Sequence, residues 1–120
     1  MEYPVGGATH CSHGAGNGLL LPFVMRFNLP ARRREFAAIA RLLGENVAGL
    51  DDAGAAERAI AAVERLRTDI GIPTRLRDLG VKESQLPLFA EKACGIKRIL
   101  RVNPRPVTVE DALGILREAF

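Results

Sequence analysis

Two histidines stand three residues apart near the start of the 120-residue sequence, in HCSHGAGNGLLLPFVMRFN, His10 to Asn28. A neutral imidazole is a common transition-metal ligand, and Gly14 lets the backbone turn directly after His13, so that a ring nitrogen can face a cleft. His13 is the candidate ligand of the pair. His10 would share a helical face with it, but two histidines do not close a tetrahedral or octahedral site. The remaining donors would be carboxylates from elsewhere, and no motif supplies them. The same H-x-x-H pair fits a turn whose histidines cap a helix or pack at its edge, and spacing alone does not separate the two readings. Gly14, Gly16 and Gly18 do not make a dinucleotide fingerprint, which needs a preceding strand and a different spacing. Small residues at alternate positions instead let a helix approach a neighbour or a ligand closely, at a propensity cost of up to about 1 kcal/mol each. Pro22, inside the apolar run, adds a kink or break worth roughly 3 kcal/mol unless packing compensates.

The elements that would position this segment read as helices. Phe36, Ile39, Ala40 and Leu43 follow the i, i+3, i+4, i+7 spacing over Ala31 to Leu43, with Gly44 as a stop. Asp51 or Asp52 can cap a second helix through Ala59, Ile60, Val63, Leu66 and Ile70 to Gly71, before Pro73 forbids continuation. A short turn is expected at Arg75 to Leu79 and a helix at Glu83 to Cys94, where Leu86, Phe89, Ala90 and Ala93 share a face and Pro87 falls in the first turn. Arg101 to Pro106, RVNPRP, must be extended or turned. Thr108 with Asp111 reads as a capping signal for a last helix burying Val109, Ala112, Leu113, Leu116 and Phe120. Strand signals are nearly absent, since no run alternates β-branched and polar residues and only 5% of the chain is aromatic. The expectation is an all-α unit, a helical bundle of about five helices joined by short Gly and Pro turns.

Composition narrows the function classes. With 48% hydrophobic and 26% charged residues the chain can bury one ordinary core. The net charge of +3 comes from arginines scattered along the chain, a weak footprint for nucleic acid. Cys11 and Cys94 lie far apart without further cysteines, so neither a zinc ribbon nor a disulfide framework is indicated and a reducing cytoplasm is expected. The longest apolar run, Leu19 to Met25, contains Pro22 and is far short of the roughly 20 residues a membrane span needs.

The stretch YPVGGATHCSHGAGNGLLLPFVMRFN resembles the signature of the iron-containing (group III) alcohol dehydrogenases, in which a His-Gly, a small-residue turn, an LLLP run and a VMxFN ending follow in this order. IGIPTRLRDLGV, Ile70 to Val81, and NPRPVTVEDALGILREAF, Asn103 to Phe120, are similar to the closing helices of that family and its Asn-Pro-Arg turn. The resemblance covers essentially the whole chain. It implies the dehydroquinate synthase-like fold, with an N-terminal α/β domain whose Gly-Gly-Gly-Ser type turn binds the phosphates of NAD(P). A helical C-terminal domain follows, and one aspartate and three histidines hold Fe(2+) or Zn(2+). By this resemblance His13 matches the last histidine ligand. The preceding one would fall immediately before Met1, and the aspartate and first histidine further upstream. Tyr3 stands where many members carry an additional active-site histidine and is expected among the cofactor-binding residues. His10 and Cys11 match no ligand.

Residues 1–120 are therefore expected to be part of a C-terminal helical metal-binding domain, starting at an internal methionine and without the nucleotide-binding domain. The parent would oxidise a small alcohol to an aldehyde or ketone, passing hydride to NAD(P); this chain alone is expected to hold no metal or cofactor. Two alternatives stay open at this stage. One is a split enzyme whose nucleotide domain is a separate chain. The other is a small basic helical module for nucleic acid or protein, suggested by ARRREF, Ala31 to Phe36. On the leading reading there is no nucleic-acid or membrane partner, and self-association is expected.

Overall fold

The computed structural model describes residues 1–120 and contains α-helices, short 3-10 turns and no strand. The helices are α1 (Glu2–Thr9), α2 (His13–Asn28), α3 (Arg33–Leu42), α4 (Asp52–Asp69), α5 (Leu86–Gly95), α6 (Lys97–Leu100) and α7 (Val109–Glu118). The five expected helices are present. Two short ones, α1 and α6, make seven: α1 consists of EYPVGGAT, whose proline and two glycines hide a helix from propensity, and α6 is a single turn inside a segment without a periodic pattern. Caps fall where the sequence places them. Asp51 accepts from the Gly54 amide at 2.8 Å, Thr108 and Asp111 form a reciprocal box at the start of α7, and Gly44, at φ 79°, follows α3 in the left-handed region.

Two apolar clusters hold the helices. The larger is built from Val5, Leu19, Leu20 and Phe23 of α1 and α2 against Leu86, Phe89 and Ala90 of α5 and Ile115 and Leu116 of α7. The smaller joins the α3–α4 hairpin to α2 through Met25, Ala40, Ala59 and Ile60. The hairpin packs on alanines, Ala37, Ala40, Ala55, Ala56 and Ala59, all fully buried, and small side chains let the backbones come close. That choice moves the larger apolar residues outward. Ile39, Leu43, Leu66 and Ile70, expected on buried faces, are exposed, as is Val109 of α7. No helix is long and apolar enough to cross a membrane. Arg32 and Arg34 of ARRREF lie on an exposed helix start and pair with Glu35 and Asp52, each at 3.6 Å.

Helix α2 runs uninterrupted through Pro22. A proline ring has no amide hydrogen for the carbonyl four residues back, here Gly18. This turn is held from outside instead. Arg67 of α4 is buried, donates Nη1 to the Leu19 carbonyl at 3.1 Å and lies over the Phe23 ring at 5.6 Å. Ile72 packs so closely on Gly18 that a Cβ there would come within 2.6 Å of its Cδ1. Burial lowers the pKa of the Arg67 guanidinium, with neighbouring Glu64 opposing.

The end of α2 is tied to the Asn-Pro-Arg turn. Asn28 and Asn103 exchange amide hydrogen bonds, each 2.9 Å. Arg105 donates to the Phe27 carbonyl at 2.6 Å while its guanidinium lies 4.0 Å from the Phe27 ring centroid. Two landmarks distant in sequence, the RFN that ends α2 and NPR, thus form one joint. The free cysteines Cys11 and Cys94 are both partly buried, and burial pushes the Cys94 thiol up.

Candidate functional site

His13 is the first residue of α2. Ser12 caps the helix in extended conformation, its hydroxyl accepting from the Ala15 amide at 3.2 Å. The chain arrives from α1 through His10, whose left-handed conformation (φ 55°) ends that helix. His10 is thereby a capping residue with an exposed side chain, and it does not share a helical face with His13. α1 packs back on α2, so Glu2 at the start of α1 stands beside His13 at the start of α2.

Both ring nitrogens of His13 are engaged. Nδ1 lies 2.6 Å from Oε2 of Glu2, and Nε2 lies 2.9 Å from the amide nitrogen of Asn17, which also donates to the His13 carbonyl at 3.0 Å. A carboxylate only accepts and an Asn amide nitrogen only donates. The first contact places a proton on Nδ1 and the second a lone pair on Nε2, and together they define one tautomer. The ring face is flanked by Tyr3, centroids 5.5 Å apart and planes tilted by 47°. The His13 side chain is 64% exposed and Tyr3 55%, so the two rings lie at the surface rather than in the core.

Glu2 is the unexpected member. Its side chain is only 7% exposed, in contact with the backbones of Gly6 and Gly16. A Cβ on Gly16 would sit 2.8 Å from Glu2 Cγ, and a Cβ on Gly6 would overlap the carboxylate oxygen. Cys11 closes the same corner, its sulfur 3.3 Å from where a Gly16 Cβ would be. The alternate glycines thus have separate tasks: Gly16 admits Glu2, Gly18 admits Ile72, and Gly14 has open space around it.

Beside the histidine lies an apolar cavity of about 410 Å³. It shares Glu2 and Asn17 with the His13 cluster and is walled by Leu21 and Val24 of α2 and by Ile99 and Leu100 of α6.

The site therefore brings Tyr3 and His13 together and leaves His10 aside. Sequence reasoning misses Glu2 and Asn17. Asn17 had a signal, since it follows His13 by four residues on one helical face. Glu2 had none, because it lies in an element that propensity does not reveal. No three His, Cys, Asp or Glu side chains converge in the chain. Its residues fit one corner of a metal site, an imidazole whose Nε2 faces only the Asn17 amide, and the other corners would need donors from elsewhere.

The family model for the C-terminal part of the Fe-containing alcohol dehydrogenases matches residues 1–120. The chain is 48% identical over its full length to 1,3-propanediol dehydrogenase of Klebsiella pneumoniae and 44% identical to NAD-dependent methanol dehydrogenase of Bacillus methanolicus, in each case covering 31% of the relative. Among solved structures, a 1,3-propanediol oxidoreductase superposes with a TM-score of 0.94 at 47% identity, over 99% of this chain and 31% of that one. An alcohol dehydrogenase from Oenococcus oeni superposes at 0.93 and 39% identity. The chain thus spans about a third of the length of these relatives. It belongs to the Fe-containing alcohol dehydrogenase family, within its C-terminal region.

Proposed function

We propose that these 120 residues are the part of a cytoplasmic, metal-dependent, NAD(P)-linked alcohol dehydrogenase that supplies one metal ligand and one wall of the substrate site. The observation that carries the reading is His13: in a chain of this family, its two ring nitrogens are met by Glu2 and Asn17, both of which also line an apolar cavity. A divalent metal, iron or zinc, supplies Lewis-acid chemistry when bound, lowering the pKa of an alcohol so that hydride can leave its carbon for a nicotinamide.

The work of this chain is positional. His13 offers Nε2, and Asn17 must swing off that lone pair when a metal takes it. Tyr3, tilted against the imidazole and half exposed, is the residue assigned to the nicotinamide side. The apolar cavity takes the carbon chain of the alcohol and keeps water from the transferring hydride. The remaining ligands and the nucleotide-binding domain come from outside these residues, as part of a longer chain or as a separate chain.

The test is complementation. The chain is co-expressed with the N-terminal two-thirds of a family member, and NAD(P)-dependent oxidation of short alcohols and metal content are measured. Activity with about one metal per complex is expected, reduced at least roughly 100-fold by His13→Ala, as for lost metal ligation. A complex that assembles without metal or turnover, or activity indifferent to His13→Ala, overturns the proposal.

A further inference from the structure

Building on the reading of His13 as a ligand, we propose that Glu2 is its positioning residue. The Glu2 carboxylate holds the imidazole as the Nδ1–H tautomer and so reserves Nε2 as the single lone pair available to a metal.

Four observations converge on this role. The first is contact: Glu2 Oε2 lies 2.6 Å from His13 Nδ1, the short distance of a hydrogen bond to an ionised acceptor. The second is burial. A carboxylate more than nine-tenths removed from water is costly unless partnered, and the only side chain it hydrogen-bonds is His13. The third is the room made for it. Gly6 and Gly16 come from different helices, and a side chain on either would collide with Glu2. Packing thus confines the carboxylate where backbone leaves space, rather than letting it roam. The fourth is independent of Glu2: the Asn17 amide nitrogen, a donor only, faces Nε2 at 2.9 Å and requires the lone pair there.

The consequence for ligation is chemical. A histidine whose second nitrogen donates to a carboxylate is fixed in tautomer and ring orientation and is a more basic donor to a metal. Glu2 touches neither substrate nor nicotinamide, so its contribution passes through His13. An exposed ring without it would divide its proton between both nitrogens and rotate about its side-chain bonds.

The tautomer can be read directly, without metal or turnover. The chain carries two histidines, so ¹⁵N-histidine labelling gives two ring systems in long-range ¹H–¹⁵N spectra. The spectra are recorded at about pH 9, above the usual imidazole range. His10, exposed at the end of α1, serves as the internal reference. For His13 the Nδ1–H form is expected to dominate by at least roughly tenfold, the size of one hydrogen bond to a charged group. Glu2→Ala is expected to cut the bias at His13 to what Asn17 alone sustains, and Glu2→Ala/Asn17→Ala to return it to the ratio seen at His10. Gly16→Ala, which keeps Glu2 but displaces it, should erode the bias in the same direction. A wild-type His13 with the same ratio as His10 overturns the proposal even if no variant folds, as does a bias undiminished in folded Glu2→Ala. The outcome is separable from the complementation test: a biased tautomer with no metal in the assembled complex refutes the ligand reading and leaves the Glu2–His13 coupling in place.

Discussion

Alanine in place of glycine should have opposite effects at two helical positions, Gly114 and Gly16. In a helix interior, Gly→Ala gains up to about 1 kcal/mol by restricting the unfolded chain. Gly114 lies inside α7, and a Cβ there meets nothing within 4 Å. Gly114→Ala should therefore stabilise by about 0.5–1 kcal/mol, raising the melting temperature by roughly 3–6 °C. At Gly16 the same gain is opposed by a Cβ 2.8 Å from Glu2 Cγ and 3.3 Å from the Cys11 sulfur. Overpacking of this kind costs about 1–3 kcal/mol. Displacing Glu2 also loosens its hydrogen bond to His13, worth no more than about 1 kcal/mol because the ring is mostly exposed. The net is a loss of about 1–2 kcal/mol, so the two variants should differ by about 2–3 kcal/mol in urea unfolding with equal m-values. The double variant Glu2→Ala/Gly16→Ala isolates the cause. Removing Cγ removes the collision, and a coupling energy of about 1–2 kcal/mol is expected. Gly16→Ala as stable as Gly114→Ala, or a coupling near zero, refutes the cradle.

Three further outcomes are expected. Arg105→Ala should destabilise by about 1–3 kcal/mol, through the lost bond to the Phe27 carbonyl and the lost ring contact, and Arg105→Lys should recover less than half of it, as measured by thermal unfolding. Hydrogen bonds from Thr108, backbone first and hydroxyl second, hold the Asp111 pKa below the ordinary aspartate range. Its stabilisation is thus present above that range and fades as pH falls through the lowered value, so an acid titration followed by circular dichroism should lose this part of its slope in Asp111→Asn. Asn17→Ala frees the Nε2 lone pair of His13 and should tighten zinc binding to the complex with the N-terminal two-thirds of a family member by up to about fivefold in a titration, one neutral hydrogen bond's worth; unchanged affinity would count against Nε2 as the donor.

Helix positions were legible because their signals are local. Asp51, Thr108 with Asp111, Gly44 and Pro87 each act within a turn of their own position, and the structure uses each as a cap, stop or first-turn residue. Which face is buried was less legible, because it depends on the partner. Periodicity favours Leu66 and Ile70, but α4 meets α3 through alanines and places Arg67 inside, where it donates to the Leu19 carbonyl beside the one that Pro22 leaves without an amide partner. The same limit applies at the site. His13 is visible by type and by resemblance, whereas Glu2 becomes functional only through a corner between two helices, one of them formed by a stretch that reads as a loop. His10 shows the converse: a residue type that suggests chemistry is used for its backbone, at a left-handed helix end.

The external support of the Pro22 turn makes four scattered positions one unit of inheritance. Proline at 22 removes a hydrogen bond, arginine at 67 reaches the next carbonyl, and the absence of a side chain at 18 admits isoleucine at 72. None of the four is interpretable by itself: an arginine in a core, a glycine and a proline in a helix, and an isoleucine after the helix has ended. In a grafted or recombined chain, a crossover between α2 and α4 would separate them. It would leave a buried guanidinium facing a helix that no longer needs it, or a proline helix with nothing to hold it. Chimeras within this family joined between Pro22 and Arg67 should therefore unfold at lower temperature than those that take Gly18, Pro22, Arg67 and Ile72 from one parent.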